Sequence, residues 1–139
     1  MMPEREERDG GRVRPALLKA YRETVYTVGG VEVRIGRRSR AMDRVLLVHG
    51  VRQAAFVTAY NPYSRMMPAG WNQRMQERLA VSVRRRPTLL AKGAWRRWSE
   101  AHLLVLGDVR VLRLKARVFR QNAIVIVRVG QAVRLLVTL

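Results

Sequence analysis

Cysteine is absent from this chain, which excludes disulfides, thiol nucleophiles and thiolate metal sites together. Histidine is almost absent: His49 and His102 are the only two, and neither stands in a ligand spacing such as His-Glu-x-x-His. No apolar run approaches the roughly 18 residues that a membrane-spanning helix needs. The first residues, Met1 to Asp9, lack the apolar stretch of a secretory signal. Gly-x-Gly-x-x-Gly, P-loop and Gly-x-Ser-x-Gly patterns are missing as well. The expectation is a cytoplasmic protein with no cofactor, metal or membrane partner, and a binding protein in preference to an enzyme.

Acidic residues are scarce too, 10 against 28 basic ones, for a net charge of +18. Such a field attracts polyanions, nucleic acid foremost. Of the basic residues 25 are arginine, and only Lys19, Lys92 and Lys115 are lysine. Arg, Ala, Gly and Val share GC-rich codons, so genome composition pushes in the same direction without selection for binding. At 139 residues, 48% of them apolar, the chain is long enough for one domain with a buried core.

Residues 1–13 are charged and aperiodic, and are expected to form a flexible tail before a single domain at 14–139. Pro15 suits the first turn of a short helix through Leu17, Leu18 and Tyr21. Val25 to Val28, Gly29-Gly30 and Val31 to Ile35 read as a hairpin. Ser39 is a candidate N-cap for a helix over 40–48 that Gly50 ends. Ala54 to Tyr60 is apolar on both faces, hence a central strand. The spacing Trp71, Met75, Leu79, Val83 predicts a helix that Pro87 stops.

Thr88 to Ala91 and His102 to Leu106 read as strands around an irregular connection containing tryptophans. Val109, Leu112, Ala116 and Phe119 predict a helix over 108–120, with Val111, Leu114 and Val118 as a second apolar side. Ala123 to Val127 is a buried strand that Gly130-Gln131 turns back into 132–139. The fold class expected is α+β: a mixed or mostly antiparallel sheet with three to four helices packed on it.

The block Ala55-Phe56-Val57-Thr58-Ala59-Tyr60-Asn61-Pro62-Tyr63-Ser64 resembles the Phe-x-Thr-Ala-aromatic-Asn-Pro-x-Ser signature of Domain of Unknown Function family 3293, small bacterial proteins. Asn72, the segment Trp98-Ser99-Glu100 before Leu103 to Gly107, and Phe119-Arg120-Gln121-Asn122-Ala123 resemble three further blocks of that family, in the same order. Tyr60 stands where the family more often has Trp, and His102 where a small hydroxyl residue is expected. The resemblance implies a bacterial source and the family's fold, and brings no reaction with it.

Thr58, Asn61, Ser64, Asn72, Glu100, Gln121 and Asn122 are the candidate ligand-binding set. Asn61-Pro62 ends one strand and Gln121-Asn122 precedes another, so neighbouring strands would bring neutral amides together, each offering donors and an acceptor. The ordinary alternative is that Asn-Pro shapes a turn and Gln-Asn caps a helix end. No catalytic residue is assigned, although Glu100 with Thr58 or His102 has the makings of an acid–base pair. A nucleic-acid alternative rests on Arg84, Arg85 and Arg86, on Trp95, Arg96 and Arg97, and on Arg113 and Arg117, because tryptophan stacks bases while arginine holds phosphate. The partner is thus an unknown small ligand or nucleic acid.

Overall fold

Gly29 and Gly30 join Val25–Val28 (β3) to Val31–Val33 (β4), and both hold positive φ, 50° and 80°, as a two-residue hairpin turn requires. The computed structural model describes residues 8–9 and 12–138. The expected tail therefore lies largely outside the described residues. Arg8–Asp9 (β1) and Arg12–Val13 (β2) form a two-stranded antiparallel ribbon.

Thr88–Trp95 (β6), Trp98–Leu106 (β7), Gln53–Val57 (β5), Ala123–Arg128 (β8) and Arg134–Val137 (β9) complete one curled sheet with β3 and β4. Its order is β4-β3-β6-β7-β5-β8-β9, antiparallel throughout. With four helices among the described residues, the fold is α+β. No helix of the described residues is long and apolar enough to cross a membrane.

Side-chain alternation divides the core between the two sheet faces. Tyr26, Val28, Ala54, Phe56, Leu104, Leu106, Val125 and Val127 face Met42 and Leu46 of α2 (Arg40–Val48). Ala55, Val57, Leu103, Val105, Ile124 and Ile126 face Leu79 of α3 (Ala69–Ser82) and Leu112 and Ala116 of α4 (Arg110–Val118). β5 is covered on both faces and lies between β7 and β8, which is why its sequence lacks alternation. The first helix, α1 (Pro15–Glu23), buries Leu17 and Ala20. Ser39 caps α2 by accepting from the Met42 amide at 3.0 Å, and His49 bonds the Val45 carbonyl through Nδ1 at 2.8 Å.

Two expectations need correction. The tryptophan segment is no irregular connection: β6 and β7 form a continuous hairpin whose turn is Arg96-Arg97, with Trp95 opposite Trp98. Within it Gly93 is a paired strand residue kept small by its neighbours. The return into β9 is longer than a two-residue turn, because Val133 is diverted to exchange backbone hydrogen bonds with the 36–37 segment. The second apolar side of α4 remains exposed at Val111, Leu114 and Val118.

Candidate functional site

Where β5 ends, the chain leaves the sheet through an unusually strained passage. Asn61, Tyr63 and Ser64 all have positive φ (46°, 52° and 63°) around a single 3-10 turn at Pro62–Ser64. Asparagine tolerates this region, while tyrosine and serine adopt it at a cost of about 1–2 kcal/mol each. The passage is pinned to the segment before β8, itself bent at Arg120 (φ 55°). The Tyr63 amide donates to the Arg120 carbonyl at 2.7 Å, Gln121 Nε2 to the Tyr60 carbonyl at 3.0 Å, and Asn122 Nδ2 to Ser64 Oγ at 3.2 Å. The antiparallel pairing of β5 with β8 causes this meeting, since the exit of one strand lies beside the start of the other.

All seven residues of the candidate ligand set are buried, and they form linked hydrogen-bond groups. Asn61 is the hub. Its Nδ2 donates to Glu100 Oε2 at 2.7 Å, its Oδ1 accepts from Asn72 Nδ2 at 2.9 Å and from the Met67 amide at 3.0 Å, and its own amide donates to Asn72 Oδ1 at 2.9 Å. Thr58 Oγ1 donates to the Ala101 carbonyl at 2.7 Å and accepts from the Tyr60 amide at 3.1 Å. Asn72 therefore supports Asn61 from α3, and neither it nor Asn122 lines the cavity beside Glu100. Much of the amide capacity is used internally.

That cavity has a volume of about 30 Å³, room for one or two water-sized groups. It sits on the α2 side of the sheet, between the tip of the β6–β7 hairpin, the exit of β5 and α1. Thr58, Asn61, Ser64, Glu100 and Gln121 supply polar lining, and Tyr21, Tyr26, Phe56, Tyr60, Trp95 and Trp98 supply rings. Half-buried Tyr21, Tyr60 and Trp98 stand between it and solvent. Among the described residues no group of three potential metal ligands occurs.

Glu100 and His102 dominate the electrostatics. The Glu100 carboxyl is held above its ordinary range by burial, and the Asn61 and Trp98 donors offset this only in part. Trp98 Nε1 reaches the same oxygen as Asn61, Oε2, at 3.2 Å. His102 Nδ1 lies 3.1 Å from the Glu100 carbonyl oxygen, an atom that only accepts, so Nδ1 carries the proton and Nε2 keeps its lone pair. Burial lowers the His102 pKa to about 4, leaving the ring neutral near pH 7. A neutral imidazole two residues from a desolvated carboxyl, with Thr58 and Asn61 in the same cleft, has the composition of an acid–base pair.

Gly93 makes room for that imidazole. A Cβ there would lie 2.8 Å from His102 Cε1 and 3.4 Å from Tyr26 Cε1. Gly93→Ala is expected to displace the ring and lower stability by about 1–3 kcal/mol, read as an earlier thermal unfolding midpoint. An unchanged midpoint would mean that the ring is not held against β6.

Several lining residues were not singled out in the sequence: Tyr21, Thr24, Tyr26 and Trp98, with Gln76 behind them accepting from the Ala59 amide at 2.8 Å. A signal existed for one. Trp98, Glu100, His102, Leu104 and Leu106 alternate along one face once β7 is extended back to Trp98. Tyr21 and Tyr26 enter only through tertiary packing.

The two arginine clusters lie at opposite ends of β6. Arg84, Arg85 and Arg86 precede β6, whereas Arg96 and Arg97 follow it, and its eight residues separate the two groups by about 25 Å. Arg113 is exposed on α4, and Arg117 Nε donates to the Thr138 carbonyl at 2.6 Å. Arg84–Arg86 and Lys115 do share one groove. Trp95 is buried, donates to Glu23 Oε1 at 2.8 Å, and carries the Arg96 guanidinium 4.5 Å from its ring centroid.

Neither a curated protein nor a solved structure matches the chain. A family model described as "Protein of unknown function (DUF3293)" matches residues 57–124. That segment contains Thr58, Asn61, Ser64, Asn72, Glu100, Gln121 and Asn122, while Tyr21, Tyr26 and Phe56 lie before it. Over residues 57–124, just under half of the chain, the protein is similar to this family of proteins of unknown function.

Proposed function

We propose that this protein is a small binding module whose ligand places a compact polar group in the cavity beside Glu100. The observation that carries the reading is a buried carboxyl with two neutral donors on one oxygen, at the edge of a ring-lined cavity. Folding gains little from such an arrangement, because a desolvated carboxyl without a cationic partner costs stability. The strained passage at 61–64 points the same way, since strained backbone gathers where a site must be preorganised. A cytoplasmic bacterial setting suits this reading, with the small ligand as partner.

The three tryptophan indole N–H signals give a direct test in ¹⁵N–¹H spectra. Trp95 and Trp98 line the cavity, and Trp71 on α3 does not. In titrations with acetamide, imidazole, acetate and methylammonium, at least one probe is expected to shift Trp98 saturably while Trp71 stays in place. If every probe moves Trp98 no more than Trp71, the binding-module reading fails.

A second reading, nucleic-acid binding, is favoured by the groove that joins Arg84, Arg85 and Arg86 to Lys115. An oligonucleotide bound there would shift signals of α4 and leave Trp98 unmoved, and its affinity would fall steeply with salt.

A further inference from the structure

We propose that the Glu100 cavity binds the primary ammonium head of a small amine, with the carboxylate as counter-ion and the surrounding rings as walls. The proposal rests on the binding-module reading and names the chemistry of its ligand.

Three observations converge on a cation. The first is the missing partner. The chain has 28 basic side chains, yet no basic side chain of the described residues pairs with Glu100; the ion pairs there are Arg38–Asp43 and Arg110–Asp108. Arg96, on the same hairpin, stacks on Trp95 instead. A buried carboxylate without a positive partner among the described residues is placed to take one from outside.

The second observation is the polarity of the lining. Both side-chain donors to the carboxylate among the described residues reach Oε2, and none of them reaches Oε1. His102 donates through Nδ1, so its Nε2 is an acceptor, and burial keeps the ring from charging and competing with a cation. Tyr21, Tyr26, Trp95 and Trp98 add aromatic rings to the lining, and a ring that turns its face to the cavity attracts a cation through its negative quadrupole.

The third observation is size. A cavity of about 30 Å³ admits a group the size of water, and an –NH₃⁺ head fits that description. A quaternary ammonium is too large and brings no N–H to donate. The remainder of the amine would extend past Tyr60 and Trp98 toward solvent.

The protein's net positive field repels cations at long range, so attraction must come from the desolvated carboxylate itself. This gives the site a signature opposite to that of nucleic-acid binding. Added salt screens the repulsion over a Debye length of about 8 Å at 0.15 M, so amine affinity should hold or rise with ionic strength.

The test is a titration of the full chain with methylammonium chloride, read at the Trp98 indole N–H, with tetramethylammonium and acetamide as comparisons. The variant is Glu100→Gln. Because Asn61 and Trp98 both donate to Oε2, a glutamine carbonyl can accept both and place its NH₂ where Oε1 stood. The expected result is a saturable shift with methylammonium alone, weakened about tenfold or more in Glu100→Gln. Should acetamide bind as well as methylammonium, the ammonium proposal is overturned while the binding module stands; that comparison needs no variant. Equal methylammonium affinity in Glu100→Gln overturns the proposal too. If none of these compounds moves Trp98, the ammonium proposal is overturned, while the binding module falls only if imidazole and acetate are silent as well.

Discussion

Asn61→Ala is expected to lower folding stability by about 4 kcal/mol, a large share of the roughly 5–15 kcal/mol that holds a domain of this kind together. The substitution removes three side-chain hydrogen bonds at once: to Glu100, from Asn72 and from the Met67 amide. Each leaves a buried polar group short of a partner, at about 1–3 kcal/mol apiece, more where the group is charged. Asn72 Nδ2 retains the Met67 carbonyl at 3.3 Å and Glu100 retains Trp98, which places the total below the simple sum. The backbone adds a further cost, since alanine at a φ of 46° is disfavoured by about 1 kcal/mol where asparagine is tolerated.

These contributions are separable by urea unfolding of three variants. Asn61→Gly loses the same hydrogen bonds but is free of the backbone cost, and should be the milder by about 1 kcal/mol. Asn61→Asp keeps the oxygen that accepts from Asn72 and Met67, but sets a second carboxyl against Glu100. It should be as damaging as alanine, and it should push the Glu100 pKa higher still. A loss below about 1 kcal/mol in Asn61→Ala would mean that the network is not formed in solution.

The prominence of Asn61 was legible in the sequence because it depends on local chemistry. An apolar run stopping at Asn-Pro marks a strand exit, and Gln121-Asn122 before a second apolar run marks a strand start. The amides were therefore identified before the pairing of β5 with β8 made them neighbours. Gly29-Gly30 fixed a hairpin for a similar reason, since two positive φ values in sequence leave few other turns.

What was not legible is what depends on distance along the chain. Tyr21 and Tyr26 reach the cavity from α1 and β3 through the curl of the sheet, and nothing in their local spacing marks them for it. The β6–β7 hairpin was hidden by Gly93, a residue that weakens strand propensity but whose reason for being small, the His102 ring, lies on the partner strand. The second apolar side of α4 shows the same dependence. Val111, Leu114 and Val118 have helical spacing, but the α3 and α4 layer covers one side of α4 only.

His102 is expected to make the protein acid-labile, and Glu100 to work against it. For histidine, burial lowers the folded-state pKa from 6.5 to about 4. Between those values the unfolded chain binds the proton and the folded one does not, so stability falls as pH drops from about 6.5 to 4. A depression of that size corresponds to roughly 3 kcal/mol. Glu100 has the opposite sign: its folded pKa is raised above 4.5, so the folded state holds a proton that the unfolded chain has released, and stability falls as pH rises from 4.5 through the folded value. The native protein therefore carries two opposed slopes across the mildly acid range, and single variants should expose each. His102→Gln should flatten the acid loss and reveal a decline with rising pH, whereas Glu100→Gln should steepen the gain in stability from pH 4.5 to 6.5. Urea midpoints at half-unit intervals of pH read both effects, and the His102 Cε1 proton resonance reports its pKa directly. Titration of that resonance near 6.5 would contradict the buried, neutral imidazole, and with it the acceptor that His102 Nε2 is proposed to offer an ammonium group.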